Sequence, residues 1–158
     1  MPPQQTRKVE FVPFDDKTRT VYNSILSSHV KNRENRSEAT SFSAYQNIFT
    51  SLRKAANHPL LLRTRHTSPE AIEHLSTQLK TSGYFGTDAT CTLKLVKNEL
   101  KKFSDYDIHC AALELIGENP LRAKDLERYT LEQNVLFDSP KVSVFNPFFQ
   151  IFHFPLLI

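Results

Sequence analysis

Glycine is scarce in this chain of 158 residues, which contains only Gly83, Gly86 and Gly117. A phosphate-binding loop needs the spacing G-x-x-x-x-G-K-[ST], so that backbone amides can wrap the phosphates, and these three glycines cannot supply it. The chain also lacks an adjacent Asp-Glu pair to hold magnesium and water. We therefore expect no ATP hydrolysis by the chain as it stands, and we assign it no catalytic, cofactor-binding or metal-binding residue.

Cysteine is almost as rare. Cys91 and Cys110 lie nineteen residues apart with no partner at metal-ligand spacing, so reduced intracellular thiols are expected. His109-Cys110 could be half of a catalytic or metal pair, but the other half is missing, which favours an ordinary helix position. His58 stands directly before Pro59, where a histidine is more often a cap or a partly buried packing residue than a catalytic base.

The chain opens with Met1-Pro2-Pro3-Gln4-Gln5, which is polar where a secretory signal would need an apolar run. With 39% apolar residues and a net charge of +3, the composition is that of an ordinary soluble domain with one modest core. Residues 1–66 hold eleven Lys or Arg against five Asp or Glu. This basic first half is compatible with nearby nucleic acid, and a solvated surface explains it equally well.

Helical periodicity predicts a mainly α fold, with one short N-terminal strand over residues 7–14 followed by about six helices. Residues 31–40 and 83–86 are predicted loops. Apolar spacing and capping signals place the helices as follows: one capped by Asp15 or Asp16, with Val21, Tyr22, Ile25, Leu26 and Val30 on one face; Phe42 to Ala56; one that begins at Ser68-Pro69-Glu70; Leu93 to Phe103; Ile108 to Ile116, closed by Gly117; and one from Asn119-Pro120 to about Tyr129. A lobe built of parallel strands and helices is not predicted.

The most informative segment is LRKAANHPLLL at residues 52–62. Pro59 should end the preceding helix at about Asn57 and push His58 toward extended geometry. Arg53 and Lys54 are possible DNA-phosphate contacts, although a solvated basic face is the commoner reason for such a pair. The apolar positions predicted to share one face of this helix are Phe42, Tyr45, Ile48, Phe49, Leu52, Ala55 and Ala56.

This segment resembles the SWI/SNF-related chromatin-remodelling ATPases, helicase-like DNA translocases in which it lies between two RecA-like lobes. Its signature positions here, given a structural role by the resemblance, are Leu52, Asn57, His58, Pro59 and Leu60. Residues 1–11 and 22–26 look like the strand and helix that leave the first lobe. Residues 104–110 and 136–141 are similar to the branch that contains a DEAD/H box. Thr18 replaces a usual Gln, and Ser139-Pro140-Lys141 replaces a usual Ser-Gly-Lys.

The resemblance implies that residues 1–141 are the inter-lobe helical region of such an enzyme, an internal fragment that braces the two ATPase lobes. The intact parent would be nuclear, would use ATP and Mg and would act on DNA and nucleosomes. The chain itself would hold no cofactor, and its partners would be the missing RecA-like lobes. The alternative is a stand-alone helical module that binds DNA or histones without enzymatic activity.

The tail of residues 142–158 contains eleven Val, Ile, Leu or Phe and no Lys, Arg, Asp or Glu. A membrane anchor would need roughly twenty apolar residues, and Pro147 and Pro155 interrupt this shorter stretch. A buried strand would need a stricter alternation than Val142, Val144 and Phe148 provide. We favour the interpretation that residues 142–158 are a hydrophobic tail outside the family sequence, as an unspliced intron or a shifted frame would produce, and we expect no membrane partner.

Overall fold

The structure is a computed structural model that describes residues 9–34 and 42–144, and these residues are mainly α-helical, as the sequence predicts. In those two ranges the helices are α1 (Asp16–Glu34), α2 (Phe42–Asn57), α3 (Pro69–Ser82), α4 (Leu93–Leu100), α5 (Asp105–Glu118), α6 (Ala123–Leu126) and α7 (Gln133–Leu136). Short 3-10 helices lie at Pro59–Leu61, Pro120–Arg122 and Glu127–Tyr129, and residues 140–144 are also helical.

The predicted N-terminal strand is wrong in the part that the structure describes. Residues 9–15 have no regular secondary structure, and Val9 and Phe11 are 77% and 90% exposed. A strand needs a neighbour for its backbone hydrogen bonds, and residues 9–34 and 42–144 contain no second strand. The strand's first two residues, Arg7 and Lys8, lie outside the described residues.

Helix α1 begins at its predicted cap, because Asp15 Oδ1 accepts a hydrogen bond of 2.7 Å from the backbone N–H of Thr18. The Thr18 side chain and backbone lower the pKa of Asp15, so the capping carboxylate is charged at neutral pH. The helix continues to Glu34, four residues into the predicted loop of residues 31–40. Helix α2 matches its prediction within one residue, since Pro59 stops it at Asn57.

Helices α1 and α2 pack against each other, but their apolar faces are narrower than predicted. Val21 and Ile25 are partly buried, whereas Leu26 and Val30 are exposed. The predicted α1 positions span about half of the helix circumference, and one packed neighbour cannot cover them all. In α2, Leu52 and Ala55 are buried and Phe49, at the edge of the stripe, is 68% exposed. The side chains of Phe42 and Tyr45 lie outside the described residues.

Helices α3 and α4 are fixed by side-chain caps. Ser68 Oγ accepts from the N–H of Ala71 at 3.2 Å, and Thr92 Oγ1 accepts from that of Leu95 at 3.3 Å. Gly83 ends α3 with a left-handed φ of 76°. Helix α4 ends at Leu100, earlier than the predicted Phe103, because Ser104 must be extended, with a ψ of 173°, to cap the next helix.

Helix α5 begins with a capping box in which Ser104 Oγ accepts from the N–H of Asp107 and Asp107 Oδ2 accepts from the N–H of Ser104. The predicted end at Gly117 is wrong, since α5 runs through this glycine to Glu118 and Pro120 then excludes further helix. The predicted last helix is divided into Pro120–Arg122, α6 and Glu127–Tyr129.

The core lies among α3, α4, α5 and the segment that follows. It consists of Leu75, Leu79, Val96, Leu100, Ile108, Ala111, Ala112, Leu115, Leu126 and Tyr129, all at most 3% exposed. Burial of each large aliphatic side chain contributes about 1.5–3 kcal/mol. An ion pair between Lys97 and Glu73 adds a surface link between α4 and α3.

The predicted tail falls mostly outside the described residues, which end at residue 144. Residues 140–144 are helical, so a strand does not begin at Val142. Among residues 9–34 and 42–144, no helix has both the length and the apolar character required to cross a bilayer.

Asp105 connects α5 to the chain that follows α2. Its side chain is 2% exposed and accepts hydrogen bonds from the N–H of Thr64, the hydroxyl of Thr64 at 2.6 Å and the N–H of Arg65 at 2.9 Å. The N–H of Asp105 donates to Leu62 O at 2.8 Å. One carboxylate therefore sets the position of residues 62–65 on the first turn of α5.

Replacing Asp105 with Ala should lower the free energy of unfolding by about 3 kcal/mol, because the three donors lose a charged, buried acceptor. Asp105→Asn keeps one acceptor oxygen and should cost about half as much. Urea denaturation followed by circular dichroism measures both values. Asp88→Ala, in an exposed loop, is the matched control, and an equal loss in Asp105→Ala and this control would contradict the assignment.

Candidate functional site

His58 joins two distant parts of the chain. Its backbone is extended, with φ −162° and ψ 129°, as Pro59 requires. Nδ1 accepts from the N–H of Leu60 at 3.1 Å, which caps the 3-10 helix Pro59–Leu61. Nε2 therefore carries the proton and donates to Leu136 O at 3.0 Å. One imidazole thus links the end of α2 to residue 136, with both ring nitrogens in use.

Asn57 makes two further links to the same distant segment. Its carbonyl oxygen accepts from Ser139 Oγ at 2.9 Å, and its side-chain Oδ1 accepts from Lys141 Nζ at 2.6 Å. Ser139 is 3% exposed, so its hydroxyl has lost its water and depends on this bond. We call Asn57, His58, Leu136, Ser139 and Lys141 the Asn57 junction.

An ion pair brings the first helix to the same place. Lys17 Nζ lies 2.8 Å from Asp138 Oδ2, and the two side chains are 76% and 47% exposed. Such an exposed pair contributes little to stability. It shows that the first turn of α1 lies beside residues 136–141, so the beginning and the end of the described region are neighbours in space.

The signature positions of the segment lie on or beside this junction. Leu52 and Leu60 are buried at 9% and 7% exposure, and Pro59 is partly buried. Asn57 and His58 supply the polar contacts described above. The partners in residues 136–141 are not predictable from the sequence, because nothing in a pattern of local spacing pairs residues about eighty positions apart.

A groove of about 340 Å³ lies between α2, residues 61–63 and the α4–α5 connection. Four of its lining residues are basic and none is acidic: Lys54, Arg63, Lys101 and Lys102. Asn47, Thr50, Ser51 and Ser104 add polar side chains to its wall. We call this surface the basic groove. Its charge and its hydrogen-bonding groups are those that suit a phosphate-bearing ligand.

The basic residues of the groove are not equivalent. The Arg63 guanidinium donates to Leu100 O at 2.7 Å and to His66 O at 3.0 Å, and burial lowers its pKa. The guanidinium N–H groups of Arg63 therefore hold residues 63–66 against the end of α4. Lys102 pairs with Glu99, and Lys101 Nζ lies 3.4 Å from Asn98 Oδ1; both lysines are exposed at a helix end and can turn toward a ligand.

The two predicted phosphate contacts are separated by the fold. Lys54 lines the basic groove, whereas Arg53, its neighbour in α2, is exposed and does not line it. Consecutive residues of a helix project about 100° apart, which accounts for the difference. Lys101 and Lys102 were missed because they follow an apolar stripe and carry no motif.

The candidate His109, and His74 with it, serve packing. His109 is 6% exposed, and its Nδ1 accepts from the N–H of Leu131 at 2.9 Å; burial lowers its pKa. Burial also lowers the pKa of His74, whose Nδ1 lies 3.0 Å from the hydroxyl of buried Tyr129. Cys110 is exposed. Within residues 9–34 and 42–144, no three His, Cys, Asp or Glu side chains are grouped so that they could hold a metal ion.

The fold defined by these helices resembles part of a known ATPase domain. The chain is similar to the crystal structure of the C-terminal part of the Fun30 ATPase domain, with a TM-score of 0.59 and 18% identity over 94% of this chain and 48% of that one. At this identity the likeness concerns the fold alone. No protein-family model matches the chain.

The sequence relatives narrow the class further. The chain is 25% identical over 142 residues to a SWI/SNF-related regulator of chromatin, subfamily A containing DEAD/H box 1A, from Danio rerio, and 26% identical over 147 residues to the corresponding protein of Xenopus tropicalis. These matches cover 90% and 91% of the chain. Protein CHROMATIN REMODELING 19 of Arabidopsis thaliana is 44% identical over 63 residues, 40% of the chain.

The resemblance to SWI/SNF-related chromatin regulators that contain a DEAD/H box is therefore confirmed. The chain spans only 13% of the length of the Danio rerio and Xenopus tropicalis proteins and 8% of the Arabidopsis thaliana protein.

His58→Ala should lower the free energy of unfolding by about 2 kcal/mol, because it removes both the cap on Leu60 and the contact with Leu136. His58→Asn should cost about 1 kcal/mol, because a short Asn can cap Leu60 but cannot reach Leu136. Urea denaturation measures the two losses, and hydrogen exchange at residues 133–139 should accelerate in both variants. Equal losses in Ala and Asn would contradict the cap on Leu60, and an Asn variant as stable as the original chain would contradict the contact with Leu136.

Proposed function

We propose that this chain supplies the inter-lobe helical region of an ATP-dependent chromatin remodeller, a nuclear DNA translocase that acts on nucleosomes. In that role residues 1–141 brace two ATPase lobes. ATP and Mg would act in the lobes of the parent enzyme, so no step of hydrolysis is assigned to residues of this chain. The proposal rests on the relatives named above and on the geometry of the Asn57 junction.

The observation that supports a bracing role is that the two connections to the lobes lie close together. The resemblance assigns residues 1–11 and the helix at residues 22–26 to the exit from one lobe, and residues 139–141 to the entry of the other. Lys17 contacts Asp138, and Asn57 contacts Ser139 and Lys141. An element whose two connections are held side by side can fix the distance between the bodies to which they lead.

The junction is also rigid in the sense that a brace needs. Three side-chain hydrogen bonds of 2.6–3.0 Å join residues 57–58 to residues 136–141, and one of their acceptors, the Asn57 backbone oxygen, belongs to the last turn of α2. Asp105 holds the next stretch, residues 64–65, to the main core. Movement at one connection is therefore transmitted to the helical core through packed and hydrogen-bonded groups.

A chimera tests this proposal. Replacing the aligned segment of the Danio rerio relative with residues 1–141 should give an enzyme whose DNA-stimulated ATP hydrolysis is retained, because the fold and both connections are preserved. His58→Ala in the chimera should lower the DNA-stimulated rate several-fold while leaving the basal rate unchanged. The control is Leu121→Ala, whose side chain is 89% exposed.

Two results would contradict the proposal. One is ATP hydrolysis by the purified 158-residue chain alone, measured as phosphate release. The other is a chimera whose DNA-stimulated rate is insensitive to His58→Ala although the junction is broken, as hydrogen exchange would show.

A second candidate function is that of a helical module that binds DNA through its phosphates, and the basic groove favours it. Lys54, Lys101 and Lys102 reach one cavity from two helical elements, and no acidic residue lines it. Clustered lysines release counterions when they bind phosphates, which gives a salt-dependent affinity without sequence preference. Both functions can coexist, since the groove and the Asn57 junction use different side chains.

Replacing Lys54, Lys101 and Lys102 together with Gln should weaken binding to duplex DNA. The slope of log affinity against log salt should become shallower by roughly three, about 0.9 for each lost phosphate contact. The matched control replaces Lys80, Lys94 and Lys124, three exposed lysines that do not line the groove, and removes the same net charge. Fluorescence anisotropy at several salt concentrations measures the slopes, and equal slopes in the two triple variants would contradict the groove.

A further inference from the structure

Helix α5 has two apolar faces, and only one of them is buried. Ile108, Ala111 and Leu115 pack into the core at 1–3% exposure. On the opposite side, Tyr106 and Leu113 are 45% and 49% exposed, and Cys110 between them is also exposed. Tyr106, Cys110 and Leu113 follow the spacing i, i+4, i+7, which aligns them along one side of a helix. We call them the outer stripe.

One edge of the outer stripe is acidic. Asp107, Glu114 and Glu118 are exposed and project next to it, and α5 contains no Lys or Arg. No ion pair neutralises Glu114 or Glu118 among residues 9–34 and 42–144. The pKa of Tyr84, raised first by burial and then by Glu114, Cys110 and Asp107, indicates that this phenol lies beside the same edge.

We propose that the outer stripe of α5 is a docking surface for a basic amphipathic helix of another polypeptide. The Leu or similar side chains of that helix would cover Tyr106 and Leu113, and its Lys or Arg side chains would face Glu114 and Glu118. The proposal is independent of the function proposed above, because it uses neither the Asn57 junction nor the basic groove.

Charge decides between the possible occupants. An apolar stripe alone would accept any apolar partner, but three carboxylates beside it repel nucleic acid and anionic lipid and attract a cationic peptide. Helical spacing of the apolar positions matches the i, i+4, i+7 anchors through which amphipathic helices bind. A partner that covers half-exposed leucine and tyrosine side chains removes their apolar surface from water, which stabilises the complex. Tyrosine is also common among the residues that dominate interface energies.

The test uses the full 158-residue chain and a fluorescent synthetic peptide with Leu at helical i, i+4 and i+7 positions and Lys at the others. Fluorescence anisotropy should detect saturable binding that weakens as salt increases. Leu113→Ser should weaken this binding about tenfold, and Glu114→Gln with Glu118→Gln about fivefold. Leu113→Met, which keeps an apolar side chain, should bind nearly as well as the original chain.

Matched controls make the result specific to α5. Leu95→Ser removes a leucine of similar exposure, 43%, from α4, and Glu132→Gln removes an exposed carboxylate near α7. Neither should change the affinity. Thermal unfolding of each variant establishes that all of them are folded.

Three outcomes would overturn the proposal. In the first, a twin peptide with Glu in place of Lys binds equally well. In the second, Leu95→Ser weakens binding as much as Leu113→Ser. In the third, sedimentation shows the chain to be a dimer that Leu113→Ser dissociates, which would assign the outer stripe to a second copy.

Discussion

The arrangement of the other elements depends on the hydrogen bonds that the buried carboxylate of Asp105 accepts. It accepts from two backbone N–H groups and one hydroxyl of residues 64–65, and it stands at the first turn of α5, where a negative charge is favoured by the helix dipole. Through it, the chain leaving the 3-10 helix Pro59–Leu61 is fixed to the main core. The position of α2, and with it of the Asn57 junction and one wall of the basic groove, follows from that attachment.

The Asn57 junction and the basic groove lie at opposite ends of the same short segment. Asn57 and His58 at its start contact residues 136–141, whereas Arg63 near its end donates to the carbonyl groups that close α4. The seven residues 57–63 therefore connect the Asn57 junction with the basic groove. A shift at residues 136–141 would reach Lys54 and Lys101 through this segment, so the two proposed functions would be coupled if the chain has both.

Sequence patterns predicted what local physics controls. Ser68 caps α3 as predicted, and Pro59 ends α2 where it must. The errors arose where a distant contact was absent or where a neighbouring residue gave the stronger local signal. Residues 9–15 form no strand because no partner strand lies among the described residues, and Gly117 does not end α5 because Pro120 ends it. Within the candidate site, Lys54, Asn57 and His58 were singled out from the sequence. Residues 136–141, which contact Asn57 and His58, and residues 101–102, which line the groove with Lys54, are distant in sequence and could not be predicted from spacing.

The main hydrophobic cluster contains no residue of α1 or α2. Leu52, Ala55 and Leu60 are buried outside that cluster. Local opening costs less free energy than global unfolding wherever few apolar groups are exposed by it. The α1–α2 pair is therefore expected to open before α3 to α6 unfold, and a ligand that favours the closed state would shift that equilibrium.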